Sequence, residues 1–168
     1  MIVHTGNGKG KTTAALGLLL RASGRDMRVA IFQFIKSSER ERGEHVAARR
    51  LGVEIEAMGA GFTWLSENIE EDRRLARRCW GRCVEVLRSG RYDMVIFDEL
   101  TYALAYGWLS HEEVFGPIRN RPHGTHVVIT GRQATEELME FADLVTEMRE
   151  VKHPYRTRGL GAQPGIEL

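Results

Sequence analysis

Cysteine is scarce in this sequence: Cys79 and Cys83 are the only two among 168 residues. They stand four apart on one predicted helix, with no second CxxC and no neighbouring histidine pair to complete a metal site, and two thiols make no disulfide framework. They read as reduced thiols at least partly in the core. Long apolar runs are missing too. The longest, "AALGLLL", is stopped by Arg21, far short of the roughly 20 residues that a membrane span needs. No charged n-region leads into an apolar segment with a cleavage site, so a cytoplasmic address is expected and a membrane partner is not. Nor is charge of either sign in excess, since 24 basic residues meet 23 acidic ones. Twenty of the basic residues are arginines, but "SSERERGEH" and "NIEEDRRLARRC" interleave them with acids. No basic block or strip is left for nucleic acid.

What is present is the balance of a globular chain, 42% hydrophobic and 28% charged, and its length suits one domain over residues 1–168. β-rich runs alternate with helical patterns. The predicted strands are "MIVHT", "RVAIFQFI", "VEIEAM", "MVIFDEL", "HVVIT" and "LVTEM"; the predicted helices cover about residues 11–24, 39–51, 66–89, 111–119 and 134–142. This rhythm predicts an α/β three-layer sandwich, a mostly parallel sheet of about six strands with helices on both faces. Runs such as "YDMVIFDEL" are almost continuously apolar, as strands buried on both faces are. Ligands are expected at the carboxyl ends of the strands. Past residue 150 the periodicity fades into "VKHPYRTRGLGAQPGIEL", which reads either as a frayed tail or as a loop that closes over something.

The densest signal lies between the first strand and the first helix, in "HTGNGKGKTT". Gly10, Lys11 and Thr12 end a P-loop pattern in the strand-to-helix setting that such a motif requires. Gly6, Asn7, Gly8, Lys9, Gly10, Lys11, Thr12 and Thr13 are the predicted nucleotide cradle. Glycines turn backbone N–H groups inward, the helix N-terminus adds partial positive charge, Lys11 reaches phosphate oxygens and the Thr12 hydroxyl faces a Mg²⁺ ion. A glycine-rich turn alone would explain the glycines but not Lys11-Thr12 at that register. Thr5 stands where the usual pattern has glycine. A β-branched residue resists positive φ, so the chain is expected to leave the strand extended and turn at Gly6 and Gly8. Lys9 reads as a surface lysine or as a second phosphate contact. The other half of a nucleotide site is "RYDMVIFDEL", a strand ending in Asp98 and Glu99, carboxylates able to hold Mg²⁺ directly or through water. The fold expected is P-loop NTPase-like, of the recombinase-like branch.

These motifs leave the reaction open, because many P-loop proteins hydrolyse ATP or move its terminal phosphate. Taken together and in order, "TGNGKGKTTAALGLLLRASG", "VAIFQFIKS", "GAGFTW", "YDMVIFDELTYALAYG", "VVITGR", "ADLVTEMREVKHPY" and "GAQPGIE" resemble the P-loop-type ATP:corrinoid adenosyltransferases of coenzyme B12 biosynthesis and salvage. The resemblance implies that Co(I) of a reduced corrinoid attacks the ribose C5′ of ATP and releases triphosphate, which is held in the reverse of the usual P-loop direction. The nucleophile then belongs to the corrinoid, and no activated Ser, Cys or Lys is needed. The six histidines, His4, His45, His111, His123, His126 and His153, are scattered without an obvious serine or cysteine partner.

On this resemblance Lys9, Lys11 and Arg132 of "TGR" share the neutralisation of a triphosphate that departs whole, with the metal at Thr12, Glu99 and Asp98. Phe62 and Trp64 match the aromatic pair beside the corrinoid, where they displace the lower axial ligand; by composition alone they are core fillers. Arg21 approaches the nucleotide or is a solvated helix arginine. Gln33 and Lys36, at the carboxyl end of a strand, line the corrinoid side. The resemblance further implies a homodimer and an external, flavoprotein-like electron donor. Family members commonly carry a stretch before the first strand that helps cover the site, whereas here the sequence opens at "MIVHT"; closure and water exclusion are expected to suffer. Two rivals stay open: an ATPase or kinase using Glu99 to position water or a hydroxyl, and a nucleotide-gated module acting on DNA.

Overall fold

The computed structural model describes residues 1–36, 41–59 and 69–166. Six strands form one sheet in the order β3-β2-β4-β5-β1-β6, and each pairing is parallel. They are β1 Ile2–Thr5, β2 Val29–Gln33, β3 Ile55–Ala57, β4 Met94–Asp98, β5 His126–Thr130 and β6 Leu144–Glu147. All six coincide with predicted runs. The helices are α1 Lys11–Ser23, α2 Gly43–Arg50, α3 Ile69–Arg88, α4 Leu100–Ala105, α5 His111–Arg119, α6 Glu136–Phe141 and α7 Pro154–Arg158. The expected starts of the second and third helices, at residues 39 and 66, lie outside the described residues. Two short helices escaped the sequence pattern. α4 begins one residue after β4 ends, so its apolar residues read as more of the strand; α7 lies in the aperiodic tail and buries no residue.

The period-two rule divides the core into two layers. Val29, Ile31, Met94, Ile96 and Val128 pack with Ala15, Leu19 and Ala22 of α1 and Ala48 of α2. Their sequence neighbours Ala30, Phe32, Val95, Phe97, Val127 and Ile129 point the other way, onto α3, α4, α5 and α6. Apolar residues on both faces of one strand are what made these runs continuous.

α3 shows the second period. Ala76, Cys79, Trp80, Cys83, Val86 and Leu87 recur three and four apart and are buried, so the two cysteines lie on the core stripe as free thiols. Burial pushes both thiols above their ordinary pKa, which makes them poor nucleophiles. Trp80 packs edge-on against Phe97 with ring centroids 5.2 Å apart. Its indole N–H donates to the Glu113 carbonyl of α5 at 2.8 Å. That carbonyl is available because the residue four further on is Pro117, inside α5, which has no N–H to return.

The same parity places the ends of the strands. Gln33 follows Ile31, Asp98 follows Ile96 and Thr130 follows Val128, so all three side chains face α1 and α2 at the carboxyl edge of the sheet. Gln33 is in register with Asp98 and His4 with Thr130. Buried polar residues, His4, Gln33, Asp98 and Thr130, gather at that edge, under the start of α1.

Candidate active site

Between β1 and α1 the chain turns at Gly6 (φ 95°) and Gly10 (φ 104°), conformations that favour glycine. Gly8 lies in the same bend, as expected, though without a positive φ. Gly8 answers to a different demand. A Cβ there would come within 2.7 Å of the Met148 carbonyl oxygen, because the Gly8 N–H donates to that oxygen at 2.6 Å. Thr5 ends β1 and is extended as expected, and its hydroxyl accepts from the Ala134 N–H at 3.1 Å. The segment after β6 therefore braces the loop from behind, a role the sequence pattern carried no sign of.

Lys11 is buried. Its Nζ donates to the carbonyls of Gly6 at 2.9 Å and Gly8 at 2.6 Å, so the ammonium is held inside the curve of the loop. Burial is the chief cause lowering its pKa, and the charge of Arg132 adds to it. Lys9, Lys11, Thr12, Lys36, Glu99 and Arg132 line one cleft of about 850 Å³ with Gly165 and Ile166 of the C-terminal segment. Gly10 and Thr13 also border it; Asn7, exposed, and Gly6 and Gly8 complete the loop behind. Arg21 stands elsewhere. It is exposed in the last turn of α1, ten residues beyond Lys11 and about 15 Å along the helix axis; its charge there complements the helix C-terminus.

Asp98 is 1% exposed and surrounded by donors. Its Oδ1 accepts from the Thr12 hydroxyl at 2.8 Å and the Thr130 hydroxyl at 2.6 Å. Its Oδ2 accepts from Gln33 Nε2 at 3.1 Å and lies 3.3 Å from Lys36 Nζ. Gln33, also 1% exposed, is not at a surface; its carbonyl Oε1 meets His45 Nε2 at 2.8 Å. Lys36 Nζ also bonds Glu44 Oε1 at 3.0 Å. Burial works to raise the Glu44 pKa, but the adjacent Lys36 charge and hydrogen bonds leave it lowered. Burial lowers that of His45. Thr130, Glu44 and His45 were missed in the sequence. Thr130 was readable as a strand-end residue on the parity of β5; the other two lie on an irregularly patterned helix whose docking onto β2 no local signal announces.

Glu99 differs from its neighbour. It adopts a left-handed conformation (φ 66°) at the start of α4, an uncommon state for a non-glycine residue, of the kind that clusters at functional sites. Its Oε2 is buried with no hydrogen-bond partner. Burial first, and the Asp98 charge second, raise its pKa from 4.5 to about 7. Glu99 borders the cleft and also a small apolar crevice formed by Phe34, Leu75, Cys79, Tyr102 and Trp108. Phe62 and Trp64 lie outside the described residues.

Among the described residues no three His, Cys, Asp or Glu side chains form a metal cluster. A hard cation would draw on oxygens instead, and the set fits one: a Thr12 hydroxyl whose proton is already directed at Asp98, and a Glu99 oxygen with no other partner. With phosphate oxygens and water completing the shell, this is a donor set for Mg²⁺ rather than zinc.

The family model described as ATP:corrinoid adenosyltransferase BtuR/CobO/CobP matches residues 1–168. A corrinoid adenosyltransferase of Escherichia coli K12 is 44% identical over 167 residues, 99% of this chain and 84% of the relative. Corrinoid adenosyltransferase CobA of Salmonella typhimurium LT2 is 42% identical over 167 residues, again 99% and 84%. A corrinoid adenosyltransferase of a Sinorhizobium species is 40% identical over 171 residues, 100% of this chain and 79% of the relative. The chain belongs to the ATP:corrinoid adenosyltransferase family.

Proposed function

We propose that this protein transfers the 5′-deoxyadenosyl group of ATP to the Co(I) centre of a reduced corrinoid and releases triphosphate, in adenosylcobalamin biosynthesis or salvage. The observation that carries the reading is the full-length family match. The geometry supports it: a cationic cleft meets an apolar crevice at Glu99. Polyphosphate suits the cleft. In the reaction the cobalt lone pair forms the Co–C5′ bond while the C5′–O bond breaks, and its electron pair leaves with the triphosphate. Negative charge then grows at the α-phosphate, so Lys9, Lys11 and Arg132 act along the whole chain rather than at its end. The protein supplies orientation and charge, since the cobalt brings the nucleophile. In keeping with this, the Lys11 amine is committed to loop carbonyls and the Cys79 and Cys83 thiols are buried.

A Mg²⁺ ion held by Thr12 and Glu99 would neutralise phosphate charge. Asp98, with both oxygens engaged, orients the Thr12 hydroxyl rather than binding the ion itself. Phe62 and Trp64 remain assigned to the corrinoid on resemblance. A single domain, a homodimer, an external electron donor and a cytoplasmic location complete the proposal; no helix among the described residues is long and apolar enough to cross a membrane.

The test is an anaerobic reaction with ATP, Mg²⁺ and chemically reduced corrinoid, followed by the corrinoid spectrum and by phosphorus NMR. A light-sensitive alkylcobalt product with stoichiometric triphosphate is expected. ADP as the phosphorus product, with an unchanged corrinoid, would replace this reading with the ATPase or kinase rival, which the raised pKa of Glu99 beside a phosphate loop favours.

A further inference from the structure

The hydrogen bonds around Asp98 have a direction, and it can be followed outward. A carboxylate only accepts, so the contact of Asp98 Oδ2 with Gln33 at 3.1 Å must use the Gln33 amide N–H. This fixes the amide: Gln33 Oε1 is turned to His45 and must accept there. His45 Nε2, 2.8 Å away, therefore carries the ring proton. His45 Nδ1 is left with a lone pair, and the Arg42 backbone N–H donates to it at 3.3 Å, closing the first turn of α2. The three bonds from the Arg42 backbone N–H through His45 and Gln33 to Asp98 Oδ2 all run in one direction. Lys36 makes a second tie between the same places, joining Glu44 of α2 to Asp98.

We propose that His45 is a positioning residue: through Gln33 it holds the Asp98 carboxylate, and so the Thr12 hydroxyl, in the orientation that binds a divalent cation with the nucleotide, and it couples that orientation to the placement of α2. The inference rests on the reading of Thr12 and Glu99 as the cation's protein ligands. It explains an otherwise costly arrangement. Gln33, 1% exposed, buries a polar amide at the end of β2 where an apolar side chain would serve packing alone, half-buried His45 of α2 gives that amide its partner, and Gly43 and Glu44 at the start of α2 form a wall of the cleft. Partners behind metal ligands of this kind typically change metal affinity by about 10- to 100-fold when removed.

His45 could instead matter only as the cap of α2, and two conservative replacements separate the roles. In His45→Asn the side-chain oxygen takes the place of Nδ1 and still accepts from Arg42, but it stops short of Gln33. In His45→Gln the amide nitrogen reaches Gln33 while the acceptor for Arg42 is lost. Mn²⁺ binding in the presence of ATP is read from the EPR signal of the free ion, and Mg²⁺-dependent turnover is split into kcat and half-saturating Mg²⁺. The expected result is Mn²⁺ affinity about 10-fold weaker in His45→Asn, near wild type in His45→Gln, with the KM for corrinoid unchanged in both. Wild-type Mn²⁺ affinity in His45→Asn overturns the proposal, and so does equal weakening in the two variants. Asp98→Asn is the control for the underlying reading. If it weakens Mn²⁺ binding while His45→Asn does not, only the relay is wrong; if Asp98→Asn binds Mn²⁺ as the wild type does, the cation site is wrong and the relay falls with it.

Discussion

Glu99 concentrates the physical tension of the site in one side chain. Its pKa is raised from 4.5 to about 7, so between those values the native state binds more proton than the unfolded chain. Stability therefore falls, on this group's account, as pH rises from about 4.5 to 7, and stays low above that. At about 1.4 kcal/mol per pH unit the cost reaches about 3 kcal/mol in the metal-free protein. Glu99→Gln removes the charge and the pH dependence with it. In EDTA, urea unfolding should show the variant gaining on the wild type by 2 to 3 kcal/mol, in round terms, between pH 5 and pH 8. Parallel stability curves would mean that burial does not disfavour this charge. Gly8 makes the second prediction at this scale. Gly8→Ala puts a methyl against the Met148 carbonyl oxygen and should cost about 1–3 kcal/mol of stability, with nucleotide affinity reduced because the loop is pushed off its brace. Unaltered unfolding and ATP titration curves would reject the close approach. At the residue scale the motif residues Lys11, Thr12, Asp98 and Glu99 were legible, since their chemistry demands that spacing. His45 and Met148 were not, because each enters through a contact with another element, Gln33 of β2 and Gly8 of the loop; the parity of β5 shows Thr130 at a strand end but not its bond to Asp98.

Among the elements, the strands were the easiest to read and the short helices the hardest. A strand buried on both faces needs an unbroken apolar run, which few other structures leave in a sequence. α4 is no shorter than α6, but only Glu99 separates it from β4, so its apolar residues continue the run of the strand and no 3.6-residue period stands apart. α5 matches its expected bounds of about 111–119, and in the structure Ser110 and Glu113 form its capping box. What was not readable was that Pro117 leaves the Glu113 carbonyl for Trp80 of α3. Trp80→Phe should cost about 1–3 kcal/mol by stranding that carbonyl. Adding Pro117→Ala supplies an intrahelical N–H and should recover part of the loss. Chemical denaturation of both singles and the double reads the coupling; purely additive costs would show that the proline and the indole are unrelated.

The whole molecule brings together pieces that the chain keeps apart. Four strand ends, the start of α1, the start of α2 and the segment after β6 converge on one cleft. MgATP should therefore slow amide hydrogen exchange in residues 6–13 and around Met148 together, through the Gly8–Met148 bond, while α3 and α5 keep their apo rates. Protection confined to the loop, with none at Met148, would show that the brace is not part of the binding unit. The distribution of lysine fits the same convergence: of four in the chain, Lys9, Lys11 and Lys36 line the cleft. The sequence by itself determined the α/β alternation, the two-faced burial of the strands and the phosphate loop with its acidic strand end, because these depend on periods and spacings within short stretches. Only the tertiary structure decided the strand order, the brace behind the loop and the donors that occupy Asp98. Those are contacts between residues from 24 positions apart, Ile31 with Ile55, to 140 apart, Gly8 with Met148, and pairing across such distances is settled by how the two core layers pack, not by any local pattern.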